Sequence, residues 1–429
     1  MPTKPDTPGP RSATSSGPGA DEGHWATSRL VPMAIIAVAV GLIGAIIVFA
    51  RQEQDDGRAV LAAAAVDSAT LPISVPYREV AGAVVIDVTL GNSDRSVPML
   101  LDTGAPTIVS GQIAETYGTG LAGTVSAASI DGQVVTSDVV ALPRLAIGGA
   151  VFSTVGAVVG ELEPGNPFAC LSEAGFIGAN LMRTAVWQLD PVAGVVTIAP
   201  SVDGLDHIDG ADRFDLLPAS DISPSPLIEV PLGEGTLTTL LDTGSNGWLA
   251  AHPDDLGRLG VAIPDDAPAM AILGTTAGGA SVARARWVDA ERGRAVLPVA
   301  AMELLSPGQA VAGMDYLSRY VVTVDWPGGA VYLDPIATVA PSTPASASLA
   351  WDDGFVVGSY VEGLPANDGL QLAAPVLAID DEIVSDAPFD RFCRHLTQPP
   401  ERMVFTLEAD HAETVPVAPV EDLFARFER

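Results

Sequence analysis

The chain has 429 residues, enough for two or three domains, and 48% of them are hydrophobic, enough for substantial cores. Its 53 acidic residues against 21 basic give a formal charge of −32, a surface that repels nucleic acid and sets it aside as a partner. Cys170 and Cys393 read as two idle thiols rather than a disulfide framework, and the five histidines fall in no metal-ligand spacing; metal, nucleotide and Ser-His-Asp chemistry find no motif, so no metal or cofactor is expected.

Residues 1–29 are rich in Pro, Gly, Ser and Thr and are predicted to be a disordered tail. Leu30 to Ala50, LVPMAIIAVAVGLIGAIIVFA, is 21 residues without a charge, long enough as a helix to cross a hydrocarbon core of about 30 Å. A signal peptide is the rival reading, but 29 residues before the apolar run is long for its leading region. A retained single-pass anchor is therefore expected through residues 30–50, with the main body outside the cytoplasm by a slim margin of Lys and Arg. Residues 51–76 read as a linker or stalk, with a propeptide as the other option.

From there on, short Val/Ile/Leu/Thr runs punctuated by Gly, Pro, Asn and Asp predict a mostly β protein. The order of phrases repeats. VVIDVTLG, VPMLLDTG, GFIGANLM and VWQLDPVAGVVTI recur as PLIEVPLG, LTTLLDTG, AVAGMDYL and VVTVDWPGGAVYL. Gly178 and Gly313 are 135 residues apart, as are Asp190 and Asp325, while Asp102 and Asp242 are 140 apart. The first copy therefore carries five extra loop residues between its motifs. Two copies of one β-rich unit are expected, at 77–200 and 227–335, joined by an Asp-rich connector at 201–226. A Pro/Ser/Ala linker at 336–348 then leads into a further domain at 349–429.

Each LLDTG places a carboxylate at a tight turn leaving a buried strand. Gly104 and Gly244 supply turns with no β-carbon where two backbones must come close. Thr103 and Thr243 offer hydroxyls that can donate into the opposite unit. If the units pack about a pseudo-twofold axis, Asp102 and Asp242 meet on it, and two carboxylates at about 3 Å share one proton. The ionised member can take a proton from water while the other hydrogen-bonds a carbonyl, with no covalent intermediate.

On the paired LLDTG phrases and the paired FIGANLM and VAGMDYLSRY segments, residues from about Ala83 to Pro335 resemble the aspartic proteases, with both lobes in one chain. DTGSNGWLA is similar to the pepsin-like form, one residue shorter, and DTGAPTIV to the bacterial retropepsin-like form. The resemblance implies a bilobal acid-protease β fold with pseudo-twofold symmetry and Asp102 and Asp242 as catalytic residues. Thr103, Gly104, Thr243, Gly244 and Ser245 would support them, and a peptide or protein would be the substrate. The catalytic unit would be monomeric, in a bacterial cell membrane. Ala105 lacks the hydroxyl that Ser245 has, which implies unequal hydrogen-bond support for the two carboxylates. TYGTG copies flap wording only 15 residues after Asp102, so the flap is placed instead at SIDGQVV, with its turn at Asp131 and Gly132. GTTAGGAS is the candidate hairpin of the second lobe. Trp248 reads as core rather than subsite wall, Asn180 and Asp315 as backbone anchors, and Asp190 and Asp325 as turn residues.

The stretch from GFVVGSYVEGLPANDG to VLAIDDEIVSD resembles a small α+β PDZ domain, with PPERMVFTLEAD as its closing strand. That resemblance implies a possible peptide ligand whose carboxylate is held by a loop at Gly354, Phe355 and Val356. An inert docking or lobe-bracing domain is the other reading. The sequence as a whole reads as a membrane-anchored aspartic endopeptidase. The alternative is a catalytically silent, anchored peptide-binding scaffold.

Overall fold

The computed structural model describes residues 54–128, 134–162, 165–220, 222–276, 279–292, 295–336, 345–400, 402–407, 413–417 and 420. The apolar stretch Leu30–Ala50 and the turn residues Asp131 and Gly132 lie outside them. No helix among the described residues is long and apolar enough to cross a membrane.

Strands dominate, as the apolar runs between turn residues require, and one order of elements occurs twice. The first half has strands Ala83–Leu90, Ser96–Asp102 and Ile108–Ser110, then helix Gly111–Tyr117. A long hairpin (Leu121–Ala128 and Val134–Ile147) and strand Ala150–Gly160 follow, then Gly175–Gly178 with helix Ala179–Met182, and the pair Val186–Asp190 and Val195–Ala199. The second half repeats this as Leu227–Leu232, Gly235–Leu241, Leu249–Ala251, helix Pro253–Arg258, the hairpin Ala269–Thr276 and Gly279–Arg292, and Ala295–Met302. Ala310–Ala312, helix Met314–Leu317, Tyr320–Asp325 and Ala330–Pro335 complete it.

The halves join through a six-stranded sheet. Val186–Asp190 of the first runs antiparallel to Tyr320–Asp325 of the second. Gln188 and Thr323 face each other in this register and hydrogen-bond, Nε2 to Oγ1, at 2.9 Å. They are 135 residues apart, the same spacing as the other late pairs of the repeat, so the local twofold passes between them. All six residues of Tyr320–Asp325 are buried. Apolar residues above this sheet, among them Leu101, Leu241, Trp187, Leu189, Val322 and Val324, form one core shared by both halves.

The segment expected as a linker or stalk is built into the fold from residue 54 onward. Residues 54–61 are helical, and Leu61 is fully buried against Val125, Val139 and Val158. Ala65–Val66 then pairs with Phe152 and Ser153, and Ile73–Pro76 forms one edge of the six-stranded sheet. The apolar residues of this stretch are spaced too irregularly to signal an element. Only partners distant in sequence give them a place.

After residue 345 the chain forms a small α+β unit. A sheet of Glu382–Ile383, Val376–Ile379, Met403–Leu407 and Glu413–Val417 is packed by the helix Phe389–Thr397. Its first hairpin, Ala347–Trp351 and Phe355–Val361, leaves that sheet and extends the sheet of the second half, where Phe355–Val361 pairs with Ala269–Thr276. The two cysteines are not idle thiols. Cys170 and Cys393 form a disulfide, 223 residues apart in sequence and 5.0 Å apart between Cα atoms. The single-turn helix Pro167–Cys170 and the helix Phe389–Thr397 bring them face to face, which their spacing in the sequence could not show.

Candidate active site

The strand Ser96–Asp102 carries Met99, Leu100 and Leu101 into the core and ends on Asp102. Gly178 lies beside Asp102 in parallel register, and the Asp242 N–H donates to the Ala312 carbonyl at 2.9 Å in the matching place. The loop past each aspartate is pinned by the helix behind it. Ala179 N–H donates to Ala105 O at 2.9 Å, and Met314 N–H to Ser245 O at 2.7 Å. Gly178 and Gly313 permit this approach: a β-carbon would lie 2.1 Å from the Pro106 carbonyl carbon in one case and 2.5 Å from Gly247 O in the other. Asn180, fully buried, accepts from Thr107 N–H at 2.7 Å and donates to Gly156 O and Leu61 O, so it anchors backbone.

The threonines cross between the halves. Thr103 Oγ1 donates to Leu241 O at 2.6 Å and accepts from Thr243 N–H at 3.0 Å. Thr243 Oγ1 donates to Leu101 O at 2.8 Å and accepts from Thr103 N–H at 3.0 Å. Both threonines are 7% exposed, so these four bonds are made away from water, where an unmade bond is most costly.

This crossing brings Asp102 and Asp242 into direct side-chain hydrogen-bond contact. Each carboxylate also accepts from its own turn, Gly104 N–H to Asp102 Oδ1 and Gly244 N–H to Asp242 Oδ1, both at 2.9 Å. Burial raises both carboxyls above the ordinary aspartate range. The neighbouring charge of Asp242 raises Asp102 further, against the pull of the backbone donors. The pair therefore holds a shared proton to higher pH than an isolated carboxyl would.

Two expectations are sharpened here. The space left by Gly104 and Gly244 is filled by the opposite carboxylate rather than by backbone. A β-carbon on Gly104 would sit 2.6 Å from Asp242 Cγ, and one on Gly244 would sit 2.5 Å from Asp102 Cγ. The contrast of Ala105 with Ser245 lies in the side chain and not in N–H donation, since Ala105 N–H serves Asp102 and Ser245 N–H serves Asp242, which Gly104 N–H also reaches. The Ser245 hydroxyl accepts from Gly247 N–H at 3.3 Å within its own turn.

Trp248 is 4% exposed and packs with Ala285, Trp287 and Ala300, with the Arg319 guanidinium over its ring at 5.5 Å. It belongs to the core. Asp190 Oδ1 accepts from Val192 and Ala193 N–H groups and Asp325 Oδ1 from Gly328 N–H, so both are turn residues. Among the described residues no three His, Cys, Asp or Glu side chains cluster as metal ligands would.

The peptide-carboxylate loop expected at Gly354, Phe355 and Val356 is not formed. Phe355 is 2% exposed, packed against Trp351 and Phe392, and Phe355 and Val356 pair with Trp351 and Ala350 in the hairpin. The other edge of Phe355–Val361 is also taken, by Ala373, Ala374 and Pro375 near Val356 and Val357, and by Met270–Ile272 farther on. From Val356 onward, described residues therefore lie along both edges of this strand, where a peptide strand would have to join.

The strands on either side of the expected turn at Asp131 and Gly132 pair, with Ala128 opposite Val134 as the last described pair. The sequence did not reveal the disulfide or the strand that the C-terminal unit adds to the second half. A cysteine pair in two separate units was the one available signal for the former. No curated protein matches the chain, whereas residues 86–181, which contain Asp102, Thr103, Gly104 and Gly178, match the aspartyl protease family model and form an aspartyl protease-like domain.

Proposed function

We propose that the chain is a membrane-anchored aspartic endopeptidase whose two halves each give one aspartate to a single site. The observation that carries this reading is the contact of Asp102 and Asp242 at the crossing of Thr103 and Thr243. Two carboxyls with raised proton affinity in contact hold one proton between them. The ionised member then takes a proton from water as it attacks the scissile carbonyl, and the protonated member donates to that carbonyl's oxygen. The tetrahedral adduct collapses as the proton passes to the leaving nitrogen. The backbone donors of both turns hold the carboxylates in place through the cycle.

The anchor is the apolar stretch Leu30–Ala50, with the body on the extracytoplasmic side. The Cys170–Cys393 bond supports that side, because disulfides persist in oxidising compartments. The substrate is a peptide or protein. The decisive experiment is cleavage of a peptide library by the purified chain and by Asp102→Asn. Loss of all cleavage in the variant is expected. Cleavage that survives the substitution at the wild-type rate refutes the dyad, and a wild-type chain that binds peptides without cutting them establishes the silent scaffold instead.

A further inference from the structure

The C-terminal unit grips both halves of the molecule. On the second half, Val361, Tyr360 and Ser359 pair with Met270, Ala271 and Ile272 of the hairpin, and Glu362 N–H donates to Ala269 O at 2.8 Å. Arg284, on the other strand of that hairpin, holds the Glu362 carboxylate through two bonds of 2.7 and 2.5 Å. On the first half, the grip is the Cys170–Cys393 bond, with Cys170 packed against the C-terminal core.

The place of Cys170 gives this second grip its meaning. It ends the turn Pro167–Cys170, whose Phe168 lies edge-on to Phe176 at 5.4 Å. Phe176 is in parallel register with Leu100, two residues before Asp102. Alternation along a strand points Leu100 to the same side as Asp102. Leu100, Phe176, Leu162 and Phe168 form one apolar cluster, so this cluster is a wall beside the aspartate pair. Between Ala150–Gly160 and Gly175–Gly178 the turn Pro167–Cys170 is the one regular element among the described residues. Its far end is bolted to another domain.

We propose that the C-terminal unit is a strap that sets the position of this apolar wall. In this reading Cys170–Cys393 is the latch, and opening it weakens substrate binding while leaving the aspartate pair intact. The inference rests on the peptidase reading for its kinetic consequence, though not for its structural one. The latch opens by thiol–disulfide exchange with a dithiol reductant. A thiolate of the reductant attacks one sulfur, the other leaves as a thiolate, and the reductant's second thiol closes its own disulfide. Two electrons pass to the protein, and Cys170 and Cys393 each end as thiols.

The test uses the full chain, oxidised, treated with a dithiol, or carrying C170S together with C393S. A peptide with a large apolar residue beside the cleaved bond is the substrate. Opening the latch is expected to raise KM by about tenfold, with kcat and the pH profile unchanged. Hydrogen exchange is expected to accelerate in residues 165–171, while protection of Ser96–Gly104 stays as in the oxidised chain. A KM that moves by less than about twofold, or a loss carried by kcat with a shifted pH profile, overturns the proposal. If the doubly substituted chain fails to fold, the dithiol-treated wild type decides. If even the oxidised wild type cleaves nothing, the peptidase reading is what has failed, and exchange in residues 165–171 alone judges the latch: unchanged rates overturn it.

Discussion

The two long hairpins occupy matching places in the two halves, yet they end differently. The outer strand of the first, Leu121–Ala128, closes its sheet with no further strand among the described residues. It is braced from one side by the helix at 54–61, where Gln54 Nε2 donates to Ser126 Oγ at 3.2 Å. A β-carbon on Gly57 of that helix would come within 2.4 Å of Thr124 O. The outer strand of the second hairpin, Ala269–Thr276, is covered by Phe355–Val361 and clamped by Arg284 and Glu362. Backbone edges must be covered or discouraged from pairing, and the two halves meet that need with unrelated pieces of chain. Symmetry is kept where the halves touch, at the aspartates, threonines and Gln188–Thr323, because each contact there needs its counterpart. Away from the axis nothing enforces it. The first hairpin thus keeps an outer strand held from one side by a helix, whereas the second is fixed along its edge by a strand of the C-terminal unit.

The largest effects are expected where symmetry is strictest. Asp102→Asn and Asp242→Asn should each lower kcat/KM by about a thousandfold or more, since the two groups act as one unit and removing either removes the shared proton. Unequal losses, read from peptide cleavage by the two variants, would break the equivalence of the halves. Gly104→Ala and Gly244→Ala should fold but displace the opposing carboxylate, with a loss of about a hundredfold. Thr103→Val and Thr243→Val should each destabilise the chain by about 1–3 kcal/mol in denaturant titration, because a buried N–H and a buried carbonyl lose their partner across the axis.

The pair also fixes the sign of a pH effect. Burial raises both aspartates above their unfolded values, so their protonated form is favoured in the folded chain. Their contribution to stability is full below the unfolded value of about 4 and is lost as pH rises through the folded value of the pair. Asp102→Asn removes a group that resists ionisation. The variant should therefore melt above the wild type at pH 7, with the gap narrowing as pH falls through the folded value of the pair and gone below about 4. A gap that widens on acidification contradicts the raised proton affinity on which the mechanism depends.

How much of this was legible in the sequence follows from how local each signal is. LLDTG is a contiguous phrase, and its repetition disclosed the halves, the meeting of the aspartates and the crossing of the threonines. Turn residues such as Asp190 and Asp325 act on neighbours two or three positions away and could be read directly. Cys170 with Cys393, the strand Phe355–Val361 on Ala269–Thr276, and Leu61 against Val125 are pairings set by the packing of whole units. No spacing in the chain encodes them. The loop at Gly354–Val356 misled for a related reason: GFVV is a short apolar phrase that suits a buried hairpin as well as a ligand loop.

The smallest expected effect tests the fixed hairpin itself. Arg284 and Glu362 have side chains 48% and 31% exposed, so water screens them and their pair contributes less than about 1 kcal/mol to global stability. Glu362 is nonetheless held below the ordinary glutamate range, first by the hydrogen bond from Arg284. A depressed acid contributes its stability above the unfolded value and loses it as pH falls through the folded one. Glu362→Gln should therefore speed hydrogen exchange in Ala269–Thr276 at pH 7 and in low salt, and the difference from wild type should shrink below about pH 4 and in about 1 M salt. The Leu121–Ala128 strand should exchange at the same rate in both proteins. If that first hairpin loosens as well, the two hairpins are coupled, and the division into a helix-held and a strand-fixed hairpin gives way to a single concerted unit.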